Sequence, residues 1–345
     1  MPQKKIYYIL LSLAVSVFLI WYLLSRIKIE DLLQTFTRIY LPALLAFAVI
    51  SLVGAALRAW RYKLLLESQP VSWGDIFLVT LIRNLFVDLL PARIGSLSYI
   101  YLLNKRLDFS FEMATSSFVV ALIFDFLTLS PFLVLAIFVV GLGSTSISSF
   151  TLLLIALVFF LIILIILWKI IPFFSFLLKI YHQVLQVVRL EKRRWAKISV
   201  KKINLTIDCL SQIRNKKIYW PIFLLSLFIR SAKYVSLYFL LFSLLKSHGF
   251  TLKNVSFWKT ILGITGAELS SALPIQGIAG FGTWESAWAL TFNLMNFDKS
   301  LAIISGMGVH LLANLFEYFL GIISILILAF SLLKKKRAKK NDANF

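Results

Sequence analysis

Ten ionisable residues sit in or beside long apolar stretches of this chain: Arg83, Asp88, Arg93, Asp125, Arg230, Lys233, Glu268, Glu285, His310 and Glu317. On insertion scales a charge at the centre of a membrane-spanning helix costs about 2.5–3.5 kcal/mol, so each needs a partner, water or a ligand. His310, Asn314 and Glu317 follow one another at i, i+4 and i+7 and form one helical stripe. Arg230 and Lys233, three residues apart, share a cationic face. Mutual pairing that locks helices together is the simplest account of Asp125 and Glu317, and a functional role stays open beside it. Arg93 and Glu285 lie at helix breaks, where free backbone amides hold anions, and point more strongly to ligand chemistry.

What is missing narrows that chemistry. Three histidines (His182, His248, His310) and a single cysteine, Cys209, are too few for a Cys/His zinc site or a His-rich di-iron site, so no metal is expected. There is no Gly-x-Ser-x-Gly elbow and no His-Glu-x-x-His. The run GIAGFG is not a dinucleotide loop, because no strand precedes it and no acid follows at the right distance. The expectation is a protein without cofactor and without enzymatic activity, leaving translocation or recognition of something anionic.

The elements that must position these residues are membrane helices. The chain has 345 residues, 60% hydrophobic and 15% charged, with a mean hydropathy of +0.89. Soluble domains run about 45–50% apolar and about 25% charged. Residues 6–24 and 150–167 carry no charge at all. The net charge of +21 could suggest nucleic acid, but its placement excludes that partner. Twelve Lys/Arg lie between Lys169 and Lys217 against two acids, and six more crowd Lys334–Lys340. Basic loops and a basic tail beside apolar spans mark the cytoplasmic side, whereas a nucleic-acid reader carries its charge on a folded module.

The expected fold class is therefore all-α, one polytopic helix bundle over residues 1–345, with both termini cytoplasmic and the chain in the cytoplasmic membrane. Spans are expected at about 6–24, 41–57, 113–140, 150–168, 218–245 and 301–330. An interfacial helix is expected within 25–40, and basic interfacial helices over 173–214 inside the cytoplasmic segment 169–217; the tail 331–345 is cytoplasmic. Arg58, Arg61 and Lys63 are expected to follow the second span as a cytoplasmic cluster.

Two apolar segments cannot be straight spans. Segment 76–103 is charged at Arg83, Asp88 and Arg93 and broken at Pro91 and Gly95. Segment 257–296 is broken by LPIQGIAGFGTWE, with Pro274, Gly277, Gly280 and Gly282. Proline removes a backbone donor and glycine frees φ. Broken backbone at membrane depth survives only where protein or a wet cavity satisfies it. Counting sides from the basic loops makes the first segment enter and leave on the cytoplasmic face and the second on the opposite face. The result is about six spans plus two opposed re-entrant hairpins, although each segment could also pair as two short spans.

LLPARIGSLSYIYLLNK and PIQGIAGFGTWESAWAL resemble the two signatures of the lysylphosphatidylglycerol synthase transmembrane region family, a flippase-like membrane domain. Pro91, Arg93 and Gly95 match the first signature; Pro274, Gly280, Gly282 and Glu285 match the second. The resemblance covers nearly the whole chain in order, with Asp125 in the intervening span. It implies a stand-alone transport module without the aminoacyltransferase domain fused to some members. The family's Glu and second Arg in the first signature are Ser96 and Tyr99 here, and His310 stands where an arginine is common.

The expected function is movement of an anionic phospholipid between leaflets. Arg58, Arg61 and Arg83 would gather the phosphate at a basic, open cytoplasmic mouth, and Arg93 with half-helix N-termini would hold it near the midplane. Glu285 and Glu268 would meet a cationic headgroup or pair with Arg93 in the empty state. The competing expectation is a non-transporting partner that presents a lipid-linked polyprenyl phosphate to a glycosyltransferase or other lipid-modifying enzyme.

Overall fold

The structure, a computed structural model, describes residues 14–66, 69–141, 149–216, 218–271 and 277–342. Among them every regular element is helical and there is no strand. Five helices are long and apolar enough to cross a membrane, judged by length and composition: Leu41–Leu65, Phe111–Val140, Ile170–Val187, Tyr219–His248 and Lys299–Phe330. The chain is an all-α polytopic membrane protein.

The N-terminal helix α1 (Ala14–Leu24) leads into the amphipathic α2 (Ile29–Thr37). The next helix, α3 (Leu41–Leu65), starts with proline in its first turn, where the missing N–H costs nothing. It runs just over two turns beyond the predicted end of span 2, to Leu65. Arg58, Arg61 and Lys63 are thus part of the helix, not a loop cluster after it. Arginine and lysine are good helix formers, and Arg61 finds its partners inside the bundle. Helix α10 (Tyr219–Leu245) packs antiparallel along α3: the Tyr40 amide donates to Ser243 O at one end, and Arg61 donates to Ser226 near the other.

Between them, α6 (Phe111–Gly141) packs against α7 (Ser149–Trp168), which bends at Lys169 into α8 (Ile170–Val187). The amphipathic α9 (Arg194–Asn215) folds back on α8 and lies against the first turns of α6, where Ser116 Oγ donates to Thr206 O at 2.9 Å. The predicted basic segment is therefore a helical pair. Its first member is also long and apolar enough, by length and composition, to count among the candidate spans.

The two broken segments are hairpins. In the first, α4 (Trp73–Leu89) is capped by Ser72, whose hydroxyl accepts from the Asp75 amide, and ends before Pro91. A 3-10 turn, Pro91–Leu97, reverses the chain into α5 (Ser98–Arg106). Gly95 lies flush on the last turn of α4: a Cβ there would sit 1.6 Å from the Phe86 carbonyl oxygen. In the second, α11 (Phe257–Ser270) and α12 (Thr283–Leu294) pack side by side. Their connection contains a short turn, Ile278–Gly280, with Ala279 at φ 53°, and then Gly282 at φ 88°. Pro274 lies outside the described residues.

At 1.5 Å per residue, α4, α11 and α12 reach only about 25, 21 and 18 Å, short of the roughly 30 Å hydrocarbon core. The long α13 (Lys299–Asp342) shows how they are arranged. Its early turns hold α12: Trp288 Nε1 donates to Ser305 at 3.3 Å, and Glu285 meets His310. Its later turns hold α4, with Gly321 directly on Leu85. The hairpins thus occupy opposite ends of one helix, and their turns meet between, since Pro91–Leu97 and Ile278–Gly280 are in contact. This is the opposed geometry that the charge pattern predicted.

The apolar core divides the same way. One cluster gathers Phe47, Tyr234, Leu244, Trp284, Trp288 and Phe292 around the second hairpin. The other gathers Tyr62, Leu65, Tyr99, Leu103, Phe124 and Ile222 around the first. Helices α3, α6 and α10 run through both, and Arg58, Arg61, Asp125, Arg230 and Lys233 fall at the junction.

Candidate functional site: a polar belt between the hairpin turns

Three groups of polar side chains fill that junction. The first is an ionic lattice. Arg61, fully buried, donates to both carboxylate oxygens of Asp125 at 2.6 and 3.3 Å and to Ser226 Oγ at 2.8 Å. Arg230 donates to the Asp125 carbonyl at 2.5 Å and to Glu268 at 3.2 Å; Lys233 also pairs with Glu268. Helices α3, α6, α10 and α11 are thereby tied together at one level. Asp125, for which mutual pairing was one of two open accounts, is thus ion-paired, and Arg230, Lys233 and Glu268 share the same lattice. Arg61 belongs to it as well, which corrects its placement at an open cytoplasmic mouth.

The second group fastens the second hairpin. Glu285, 2% exposed, accepts from the Gly282 amide at 2.8 Å through one oxygen and meets His310 Nδ1 at 2.6 Å through the other. Gly282 supplies an amide in a left-handed conformation that costs a glycine little, and Glu285 satisfies it as a first-turn acid. The imidazole lies parallel to Trp284 at 4.7 Å, 11° between planes, and against Phe281 at 4.8 Å. Ser16 of α1 also donates to the Phe281 carbonyl. Glu285 therefore pairs with α13 and not across to the first hairpin, and Glu268 pairs with Arg230 and Lys233. For Glu285 this corrects the expectation of an Arg93 partner: α13 packs directly on α12 and brings His310 to it first. The side chain of Arg93 lies outside the described residues, as does that of Pro91.

The third group lies where α3, α4 and α13 meet. Arg58 and Arg83 both donate to Asn84 Oδ1, at 2.9 and 3.3 Å. One turn further along α4, Asp88 lies beside Glu317 of α13. His310, Asn314 and Glu317 do share one stripe, which runs from the second hairpin to the first. Asn314 is buried and its Nδ2 has no hydrogen-bond partner.

Of the family-signature departures, Tyr99 is fully buried, stacks on Tyr62 at 4.2 Å and shares a hydrogen bond with Ser117 at 3.0 Å. It fills space beside Arg61 where a charge would be costly. The residue that sequence reading passed over is Asn84, a neutral side chain with no motif around it; Arg58 was expected to gather phosphate on the cytoplasmic side and lies in the belt instead. Among the described residues no cluster of three potential metal ligands occurs. The cleft of about 570 Å³ between α8 and α9, lined by His182, Lys192, Lys197 and Lys201, lies away from the belt.

A bundle with half-length hairpins meeting at a charged level defines a class of membrane protein with a polar site at mid-depth. The chain belongs to the lysylphosphatidylglycerol synthase TM region family, whose profile matches residues 9–334. A search of curated proteins finds no match.

Proposed function

We propose that this protein moves an anionic phospholipid between the leaflets of the cytoplasmic membrane, without covalent chemistry. The observation that carries the reading is the junction of the two hairpins: their turns meet at a level where Arg58, Arg83, Asp88 and Glu317 form no salt bridge among the described residues. Charges left without ion partners at membrane depth are costly unless a ligand or water meets them. A headgroup passing along this level would keep its acyl tails in lipid throughout. The family's link to lipid handling supports the same substrate class.

The purified protein in liposomes is expected to move fluorescent phosphatidylglycerol from the inner to the outer leaflet, read by dithionite quenching, well above protein-free vesicles. Inactivity with several phospholipids, together with stable co-purification of a lipid-modifying enzyme, would replace transport by the presenting role.

The basic segments set the proposed orientation, with residues 63–75, 104–110, 169–217 and 331–345 on the cytoplasmic side; Arg58 and Arg61, first expected there, lie in the belt. A Lys105→Cys variant is expected to resist a membrane-impermeant thiol reagent in intact cells, with Cys209 replaced by Ala. Labelling from outside would overturn the cytoplasmic re-entry of the first hairpin.

A further inference from the structure

We propose that Arg58 and Arg83 form the seat of the phosphate group that the protein recognises. The inference deepens the lipid-moving reading and rests on it for the source of the phosphate. A guanidinium offers five N–H donors. Here, among the described residues, two guanidiniums share a single neutral acceptor, Asn84 Oδ1, and the Nε atoms of both are buried without a hydrogen-bond partner. Among the described residues neither forms an ion pair.

The neighbouring acids are engaged elsewhere. Asp125 is held by Arg61 through both oxygens, Glu268 by Arg230 and Lys233, and Asp88 lies against Glu317. Arg58 and Arg83 thus stand at this level with no acid of the described residues within ion-pair distance. An anion with several acceptor oxygens satisfies both their charge and their idle donors, and a phosphate bound by two forked guanidiniums does so in bidentate fashion. Arg58 and Arg83 are half-buried and so remain within reach of a ligand. The Asp88–Glu317 wall one turn away disfavours a second negative charge, so a singly charged phosphodiester fits better than a phosphomonoester.

The test is thermal stabilisation of the detergent-purified full chain by three probes: dihexanoyl phosphatidylglycerol, dihexanoylglycerol and inorganic phosphate. The phosphodiester is expected to raise the apparent Tm in a saturable way and dihexanoylglycerol to leave it unchanged. In Arg58→Gln and Arg83→Gln the apparent Kd is expected to rise on the order of tenfold to a hundredfold, the loss of one or two charge-assisted hydrogen bonds. Arg58→Lys and Arg83→Lys keep the charge, and are expected to fold even if the glutamine variants do not, with binding about tenfold weaker for want of the fork.

Equal shifts in wild type and all four variants would overturn the site. A saturable, arginine-dependent shift with inorganic phosphate alone would support the seat and overturn the lipid as its source. The liposome assay separates the two readings. Arginine-dependent binding without lipid movement sinks transport and leaves the seat standing; lipid movement unchanged in Arg58→Lys and Arg83→Lys sinks the seat and leaves transport standing.

Discussion

Asp125→Ala is expected to destabilise the protein by about 3–5 kcal/mol, the cost of leaving a buried charge without its partner. Arg61 would lose both short contacts to the carboxylate and keep only the Ser226 hydroxyl, in a position with no exposure to solvent. The loss should appear as a fall in apparent Tm and in the monodisperse fraction after detergent extraction. The paired replacement is more informative than the single one. Arg61→Met with Asp125→Leu removes both charges and fills similar volume, and such exchanges of a buried ion pair are often neutral or stabilising. The double variant should therefore recover most of the stability that Asp125→Ala loses. If it is no better than the single variant, Arg61 and Asp125 act separately, and the belt is not the lattice described above. A variant that recovers stability also shows whether the lattice serves transport, because its lipid movement can then be measured on folded protein.

Gly95→Ala is expected to abolish the first hairpin, with a loss above about 3 kcal/mol, beyond ordinary overpacking of a core. The added Cβ would lie 1.6 Å from the Phe86 carbonyl oxygen and 2.6 Å from the Val87 amide nitrogen. Both are backbone atoms in the last turns of α4, so no side-chain rotation can relieve the clash. The turn Pro91–Leu97 would have to lift away, and with it the surface that meets Ile278–Gly280. Gly74 provides the control within the same helix. A Cβ there meets only Ser72 Oγ at 3.7 Å, an ordinary contact. Gly74→Ala should be neutral or raise stability by about 0.5–1 kcal/mol, since alanine is the better helix former. Lipid movement should vanish in Gly95→Ala and persist in Gly74→Ala. A Gly95→Ala protein with the apparent Tm of the wild type would mean that the turn does not rest on α4.

The hairpins also show where sequence legibility ends. Pro91 and Gly95, and Gly277, Gly280 and Gly282, announced that two apolar segments must break, because proline and glycine act locally on the backbone. The uncharged runs announced the spans for a similar reason: about 20 apolar residues meet a fixed bilayer thickness whatever surrounds them. Basic clusters gave the sidedness from which opposed hairpins followed. Cap residues such as Ser72 were legible in principle, being fixed by neighbours three residues away.

Partnership among the charges was not legible. The ten ionisable residues could be named from their apolar surroundings alone, because the cost of burying charge depends on a residue's own stretch. Which cation meets which acid depends on how helices far apart in sequence are rotated against one another. Glu285 was expected to reach across the hairpins and instead caps Gly282 and holds His310. Arg61 was expected at an open mouth and is the most enclosed charge of the belt. Arg58 and Arg83 looked like two more members of basic clusters until the shared Asn84 and the idle Nε atoms set them apart. The sequence by itself determined an all-α membrane bundle, its breaks and its family, since these rest on hydropathy and on local backbone chemistry. Only the tertiary structure decided which charges lock the bundle and which form no ion pair among the described residues, because ion pairing acts over a few ångströms and is set by long-range packing.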